Sequence, residues 1–291
     1  MVTNNAANQS NTGYQSLNTT GTFNGRTLIA GSNISISNGD GIAGNTTISS
    51  TATPFPPAPN TQIALFDDFM GVSFGGTTNN IESVLPWSDV DITGTTGFVL
   101  ITSTENGHPG IMQNRAVSAG ESYLCMDGAP LGTSIGDVFI LGGGAITINW
   151  VFKIINLSTV TNRYNLVMGL AAASAGGTII LPSNGVYITY SDNVNSGQWR
   201  GTTSAAATPT NRDSAIAVTT GWHNAQIDIN AAGTSVTFTV DGVSLGAAVT
   251  TNIPSVAISP FFGFNRTAGT IAAGTFFIDL FYLSQTLTTP R

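Results

Sequence analysis

From Thr61 onward the chain alternates between apolar and polar positions. In "AITINWVFKI", Ile146, Ile148, Trp150 and Phe152 fall on one parity, and Thr147, Asn149, Val151 and Lys153 fall on the other. That is the period-two signature of a half-buried strand. In "SVTFTVDG", Val236, Phe238 and Val240 share a face, and Asp241-Gly242 is a turn dipeptide able to take positive φ. "QIALFDDFMG", "FVLITST", "YLCMDG", "DVFILGG", "RYNLVMGLAAA", "GVYITY", "HNAQIDIN" and "TFFIDLFYL" read as further strands, on their β-branched and aromatic content. No segment carries a capped apolar stripe at the helical period. So many strands between residues 61 and 291 predict an all-β domain built as a two-sheet sandwich.

The pattern thins out toward the N-terminus. Residues 1–25 are mostly Asn, Thr, Ser, Gly and Ala, with Tyr14, Leu17 and Phe23 as sparse anchors. Alone, such a segment cannot offset its ordering entropy, so it is read as an extended segment that docks on a partner. Residues 26–52, "RTLIAGSNISISNGDGIAGNTTISSTA", carry Ile34, Ile36, Ile42 and Ile48 among turn dipeptides such as Asn38-Gly39 and Asp40-Gly41. Short strands with so few apolar residues cannot bury them within one chain. In a trimeric β-stalk the sparse isoleucines of three chains meet on the axis, so a homotrimer is predicted; a flexible linker is the competing reading. "TPFPPAPN", residues 53–60, holds four prolines and is read as a stiff linker. Residues 61–291 form the head.

Composition narrows the setting. Charged residues are 8% of the chain, against roughly 25% in an ordinary soluble domain. Lys153 is the only lysine. A surface of neutral hydroxyls and amides suits extracellular or virion proteins. The net charge is −7 and no Lys/Arg cluster exists, which argues against a nucleic-acid surface. No apolar run is long enough to insert into a membrane. The opening "MVTNNAANQSNTGYQ" has neither the basic nor the apolar region of a signal peptide. An exterior-type surface without an export signal points to a protein made in a host cytoplasm and assembled there into a particle. Cys125 is the only cysteine, so no intrachain disulfide and no cysteine zinc site is possible. It is read as a small buried hydrophobe.

The stretch "GVYITYSDNVNSGQWRGTTSAAATPTNRDSAIAVTTGWHNAQIDINAAGTSVTFTVDGVSLG" carries Trp222-His223, an alternating strand, a short turn and "VTFTVDG". This run resembles the concanavalin A-like lectin/glucanase jelly roll, in the laminin-G-like version found in bacteriophage structural proteins. "FFIDLFYL" is similar to that family's closing strand, which pairs near the opening "FDDF" strand. The stalk segment is similar to sequences that precede such domains in phage fibres. The resemblance covers residues 61–291 and implies an antiparallel two-sheet jelly roll. It also implies a virion fibre or spike that presents a lectin-like head for host-surface glycan attachment. The fold hosts lectins, hydrolases and inert modules alike, so a ligand-free decoration protein and a polysaccharide-degrading enzyme stand as alternatives.

Candidate chemistry is sparse. Retaining glycanases need two carboxylates about 5–5.5 Å apart. The only glutamates, Glu82, Glu105 and Glu121, have no acidic partner at the matching spacing. His108 lies in the loop "ENGHPG" and His223 at a strand start, and neither has a nucleophile-elbow motif nearby. A non-enzymatic protein without catalytic residues or cofactor is expected. Asp67, Asp68 and Asp279 fall where the first and last strands meet, and some relatives hold a structural calcium there. The alternative is that they cap turns, and no metal site is assigned. Sugar binding needs an aromatic platform beside amides and hydroxyls. "YITYSDNVNSGQWRG" supplies Tyr190, Asn195, Gln198, Trp199 and Arg200, with Trp199, framed by glycines, expected to be exposed.

Overall fold

The computed structural model describes residues 15–17, 23–25, 34–37, 47–50, 61–70, 80–82, 85–91, 97–103, 105–115, 120–126, 138–172 and 181–291. The chain divides into two compact units, residues 1–57 and 58–291.

In the first unit, β1 (Gln15–Leu17) pairs antiparallel with β2 (Phe23–Gly25). β3 (Ile34–Ser37) pairs with β4 (Thr47–Ser50), setting Ile36 opposite Ile48 and Ile34 opposite Ser50. The expected extended docking segment thus contains a short hairpin. Ile42 and the proline run lie outside the described residues.

The second unit is the expected all-β fold, an antiparallel two-sheet jelly-roll sandwich. Its strands are β5 (Gln62–Asp67), β6 (Asn80–Glu82), β7 (Pro86–Asp91), β8 (Phe98–Thr102), β9 (Gly110–Asn114) and β10 (Glu121–Met126). They continue with β11 (Gly144–Ile154), β12 (Tyr164–Ala171), β13 (Gly185–Tyr190), β14 (Gln198–Ala205) and β15 (Thr208–Ala217). The last are β16 (Gly221–Ile229), β17 (Val236–Val240), β18 (Val243–Ser244), β19 (Ser259–Arg266) and β20 (Phe276–Leu287). One sheet runs β15-β14-β13-β12-β19-β10-β7-β6 and the other β18-β17-β16-β11-β20-β9-β8, with β5 also on β20.

The alternation in the sequence becomes the two faces of each sheet. Ile146, Ile148, Trp150 and Phe152 are buried between the sheets, and Lys153 faces out, half-buried. At the centre, Trp150 packs on Phe281 with ring centroids 4.7 Å apart, and Trp87 meets Phe281 edge-on at 5.0 Å, a preferred aromatic geometry. Phe281 pairs with Asp67 across β20 and β5, so closing and opening strands meet as the resemblance implied. Asp241 and Gly242 both take left-handed backbone, φ 51° and 76°, and turn β17 into β18. Cys125 is fully buried.

Two readings change. Within "DVFILGG" the described residues, 138–143, form no strand: only Phe139 bridges to Ile258, and Val138 and Ile140 are exposed. β14, β15 and β19 are strands that the residue pattern does not reveal: Gly, Ser, Thr and Pro mask the alternation of β14 and β15, and β19 is buried on both faces.

Candidate functional site

The segment "YITYSDNVNSGQWRG" contains the proposed binding residues, and the structure separates them by strand parity. The backbone turns at Asn195, Ser196 and Gly197, all left-handed at φ 47°, 56° and 76°. β14 then begins at Gln198. Trp199 therefore lies within a strand and faces the core: it is 1% exposed and packs against Phe152, Tyr190 and His223. The expected exposed indole is corrected. The glycines frame a strand whose inner face is crowded; a Cβ at Gly201 would lie 2.3 Å from the Phe238 ring.

Tyr190 and Asn195 are also used internally. Tyr190 is buried, and its hydroxyl oxygen accepts the Ser158 N–H at 3.1 Å. Burial pushes its phenol up to about 12. The Asn195 amide donates to the carbonyls of Trp199 and Ser214, each at 2.9 Å. Gln198 and Arg200 are half-buried on the outer face, and Arg200 Nε pairs with Asp213.

The same segment anchors its neighbour. Arg163 binds Asp192 with both ends of its fork, Nε to Oδ1 at 2.9 Å and Nη2 to Oδ2 at 2.8 Å. The guanidinium holds the Asp192 carboxyl below the usual carboxylate range. Ser158 Oγ donates to the same carboxylate at 2.6 Å. These bonds fix the β11–β12 connection, which forms one wall of a cavity of about 470 Å³. Tyr164, Ile271 and Thr275, all buried, are its inner lining, and Asn156, Thr220 and Thr270 are exposed at its rim. Tyr164 O–H donates to the Asn156 carbonyl at 2.7 Å and Thr275 Oγ1 to the Ala272 carbonyl at 2.8 Å. Among the described residues no carboxylate, lysine or arginine lines it. The side-chain amide of Asn156 and the hydroxyls of Thr220 and Thr270 have no partner among the described residues.

On the outer face of the other sheet, Lys153, Trp222 and Phe277 are register neighbours on β11, β16 and β20. Glu105 bridges two of them: Oε1 pairs with Lys153 Nζ, and Oε2 accepts Trp222 Nε1–H at 2.7 Å. The lysine bond, then the indole bond, holds Glu105 below its ordinary pKa. His108 stacks on Trp222 with centroids 3.6 Å apart, and its Nδ1 lies 2.8 Å from Asp279 Oδ2. Asp279 reaches it through a bulge: Val151 faces Leu280 and Phe152 faces Ile278, leaving Asp279 as the extra residue. Burial, with a smaller push from Asp68, raises the Asp279 carboxyl.

The three carboxylates considered for calcium therefore diverge. Asp67 is fully buried and accepts the N–H groups of Phe69, Leu85 and the Trp87 indole at 2.9, 3.0 and 2.9 Å. Asp68 accepts the Met70 N–H at 3.4 Å, and Asp279 serves His108. Among the described residues no group of three or more His, Cys, Asp or Glu side chains is placed to hold a metal. His223 is buried, its Nδ1 2.7 Å from Asp241 Oδ2 and its Nε2 2.8 Å from the Thr219 carbonyl. Sequence reasoning missed the Glu105–Lys153–Trp222 group, although a single lysine on the polar parity of a strand was a usable signal.

No protein-family model matches the chain, and no curated protein does. Among solved structures the fold is shared with a protein of unknown function from Shewanella oneidensis MR-1, at TM-score 0.54 and 15% identity, covering 80% of this chain and 90% of that one. Weaker likenesses are to peanut lectin (TM-score 0.48, 10% identity, 78% and 99% covered) and a carbohydrate esterase from the Shiga toxin-encoding bacteriophage phi24B (0.43, 13%, 69% and 90%). At such identities the likeness is one of fold. No helix among the described residues is long and apolar enough to cross a membrane.

Proposed function

We propose that this chain is a non-enzymatic virion component, a homotrimeric fibre or spike whose jelly-roll head holds a host-surface glycan. The observation that carries the binding function is the uncharged cavity of about 470 Å³ between the β11–β12 and β19–β20 connections. A sugar offers an apolar C–H face and a ring of hydroxyls. Tyr164 and Ile271 match the first, while Asn156, Thr220 and Thr270 offer hydrogen-bonding groups to the second. Its volume falls in the range of small-molecule sites. Contacts of this kind bind weakly one at a time, on the order of millimolar, and a trimer makes such affinity useful through avidity. In this reading residues 1–25 dock on other virion proteins, and the sparse isoleucines of the stalk hold three chains together.

The test is a glycan array probed with the full chain, with its mass followed by light scattering. Binding of neutral glycans by a trimer is expected, and Asn156→Ala, which removes a rim amide and leaves the backbone bonds of residue 156, should weaken it several-fold. A trimer that binds no glycan would leave only a decoration protein. Reducing-sugar release from capsular polysaccharide would establish an enzyme.

A further inference from the structure

A second opening, of about 250 Å³, lies on the outer face of the sheet across β13, β14 and β15. Among the described residues it shares no lining residue with the end cavity. Its floor is set by register. Tyr187, Thr202 and Asn211 face one another across the three strands, and Thr189, Arg200 and Asp213 form the adjacent row. Leu181, Pro182 and Val194 supply an apolar lip.

The hydrogen-bond directions on this floor are unequal. Thr189 Oγ1 donates to the Leu166 carbonyl at 3.0 Å, Thr202 Oγ1 to Asn211 Oδ1 at 3.0 Å, and Ser204 Oγ to the Ser183 carbonyl at 3.1 Å. A hydroxyl has one hydrogen and two lone pairs. Each of these three has already given its hydrogen and keeps acceptor capacity. The floor is therefore rich in acceptors. The strong donor is Arg200, whose Nε is held by Asp213 and whose terminal nitrogens have no partner among the described residues. Its fork geometry suits a planar carboxylate.

We infer that this groove is a second binding site, selective for a carboxylated sugar: its hydroxyls donate to the Thr and Ser oxygens while its carboxylate takes the free end of Arg200. Asp213 orients the guanidinium and at the same time opposes the incoming anion.

The experiment is saturation-transfer NMR on the full chain with matched probes, methyl glucuronide against methyl glucoside, and with the methyl glycosides of galacturonate and N-acetylneuraminate. At least one acidic probe should bind about tenfold tighter than the neutral one, a difference of about 1.4 kcal/mol. Arg200→Gln should reduce its affinity to that of the glucoside. Asp213→Asn should raise it several-fold. Asn156→Ala should leave it unchanged, which separates this groove from the end cavity. Circular dichroism checks the fold of each variant, and the gain in Asp213→Asn stands as evidence even if Arg200→Gln does not fold. The inference is overturned if acidic and neutral probes bind alike, if none of the acidic probes binds, or if neither Arg200→Gln nor Asp213→Asn changes acidic-probe affinity.

Discussion

Trp199 and Trp222 both sit on outer halves of their sheets, and the two positions show what strand parity does to an indole. Trp199 points inward and is sealed among Phe152, Tyr190 and His223. Trp222 points outward, where it is held by a stacked imidazole, a carboxylate on its N–H and an ammonium 5.5 Å from its ring centroid. The first owes its place to the hydrophobic effect and close packing. The second is fixed by polar contacts that bind the 105–109 loop to the sheet. Neither is an open stacking platform, so under the function proposed above a sugar would rest on Tyr164 and Ile271 and be held by hydroxyls, amides and one guanidinium.

The largest expected effect tests the sealed side. Trp199→Ala removes a fully buried aromatic from a packed layer, at a cost of about 3–5 kcal/mol. Urea unfolding should show the loss directly, with Trp199→Phe recovering part of it. A loss below about 1 kcal/mol, as for an ordinary surface substitution, would mean that the indole is not sealed in solution.

What the sequence allowed to be read follows the same division. β11 and β17 alternate Ile, Trp, Phe and Val against polar residues, so their inner faces are legible from residue order alone. β14 reads "QWRGTTSA": its inward positions include Gly201 and Thr203 as well as Trp199, and the alternation disappears. That is why an indole inside a strand looked like one in a loop. Arg200 survives as a proposed ligand group because it holds the opposite parity. The end cavity was invisible for another reason. Its walls are residues 155–164, 220 and 270–275, brought together by topology alone. Glu105, likewise, meets Trp222 from a distance of 117 residues.

On the pinned side the expected loss is smaller. Trp222→Ala deletes a ring pair worth about 0.5–1.5 kcal/mol and a hydrogen bond worth a similar amount. The surrounding sheet stays packed, so about 1–2 kcal/mol is expected in urea unfolding. Amide hydrogen exchange should rise within residues 105–110 and stay unchanged in β14. Faster exchange across the whole sheet would show that Trp222 supports the fold and not only the loop.

The finest test uses two carboxylates of that outer cluster whose shifts have opposite sign. Glu105 is held below its ordinary pKa by Lys153 and Trp222. A depressed carboxylate contributes stability that is present above its unfolded value, about 4.3, and is lost as pH falls through the folded value. Asp279 is raised, chiefly by burial. Its contribution is complete below the unfolded value, about 3.9, and is lost as pH rises through the folded one. Urea midpoints should be measured from about pH 3 to about pH 7 for the unsubstituted chain, Glu105→Gln and Asp279→Asn, spanning both unfolded values. The stability advantage of the unsubstituted chain over Glu105→Gln should shrink toward acid. Its advantage over Asp279→Asn should shrink toward neutral pH. Both effects are small, because Glu105 is open to solvent and screened and Asp279 regains part of its cost through His108. The signs decide the matter: two differences that slope the same way with pH would mean that the bulge does not bury Asp279, and that His108 and Asp279 meet in solvent.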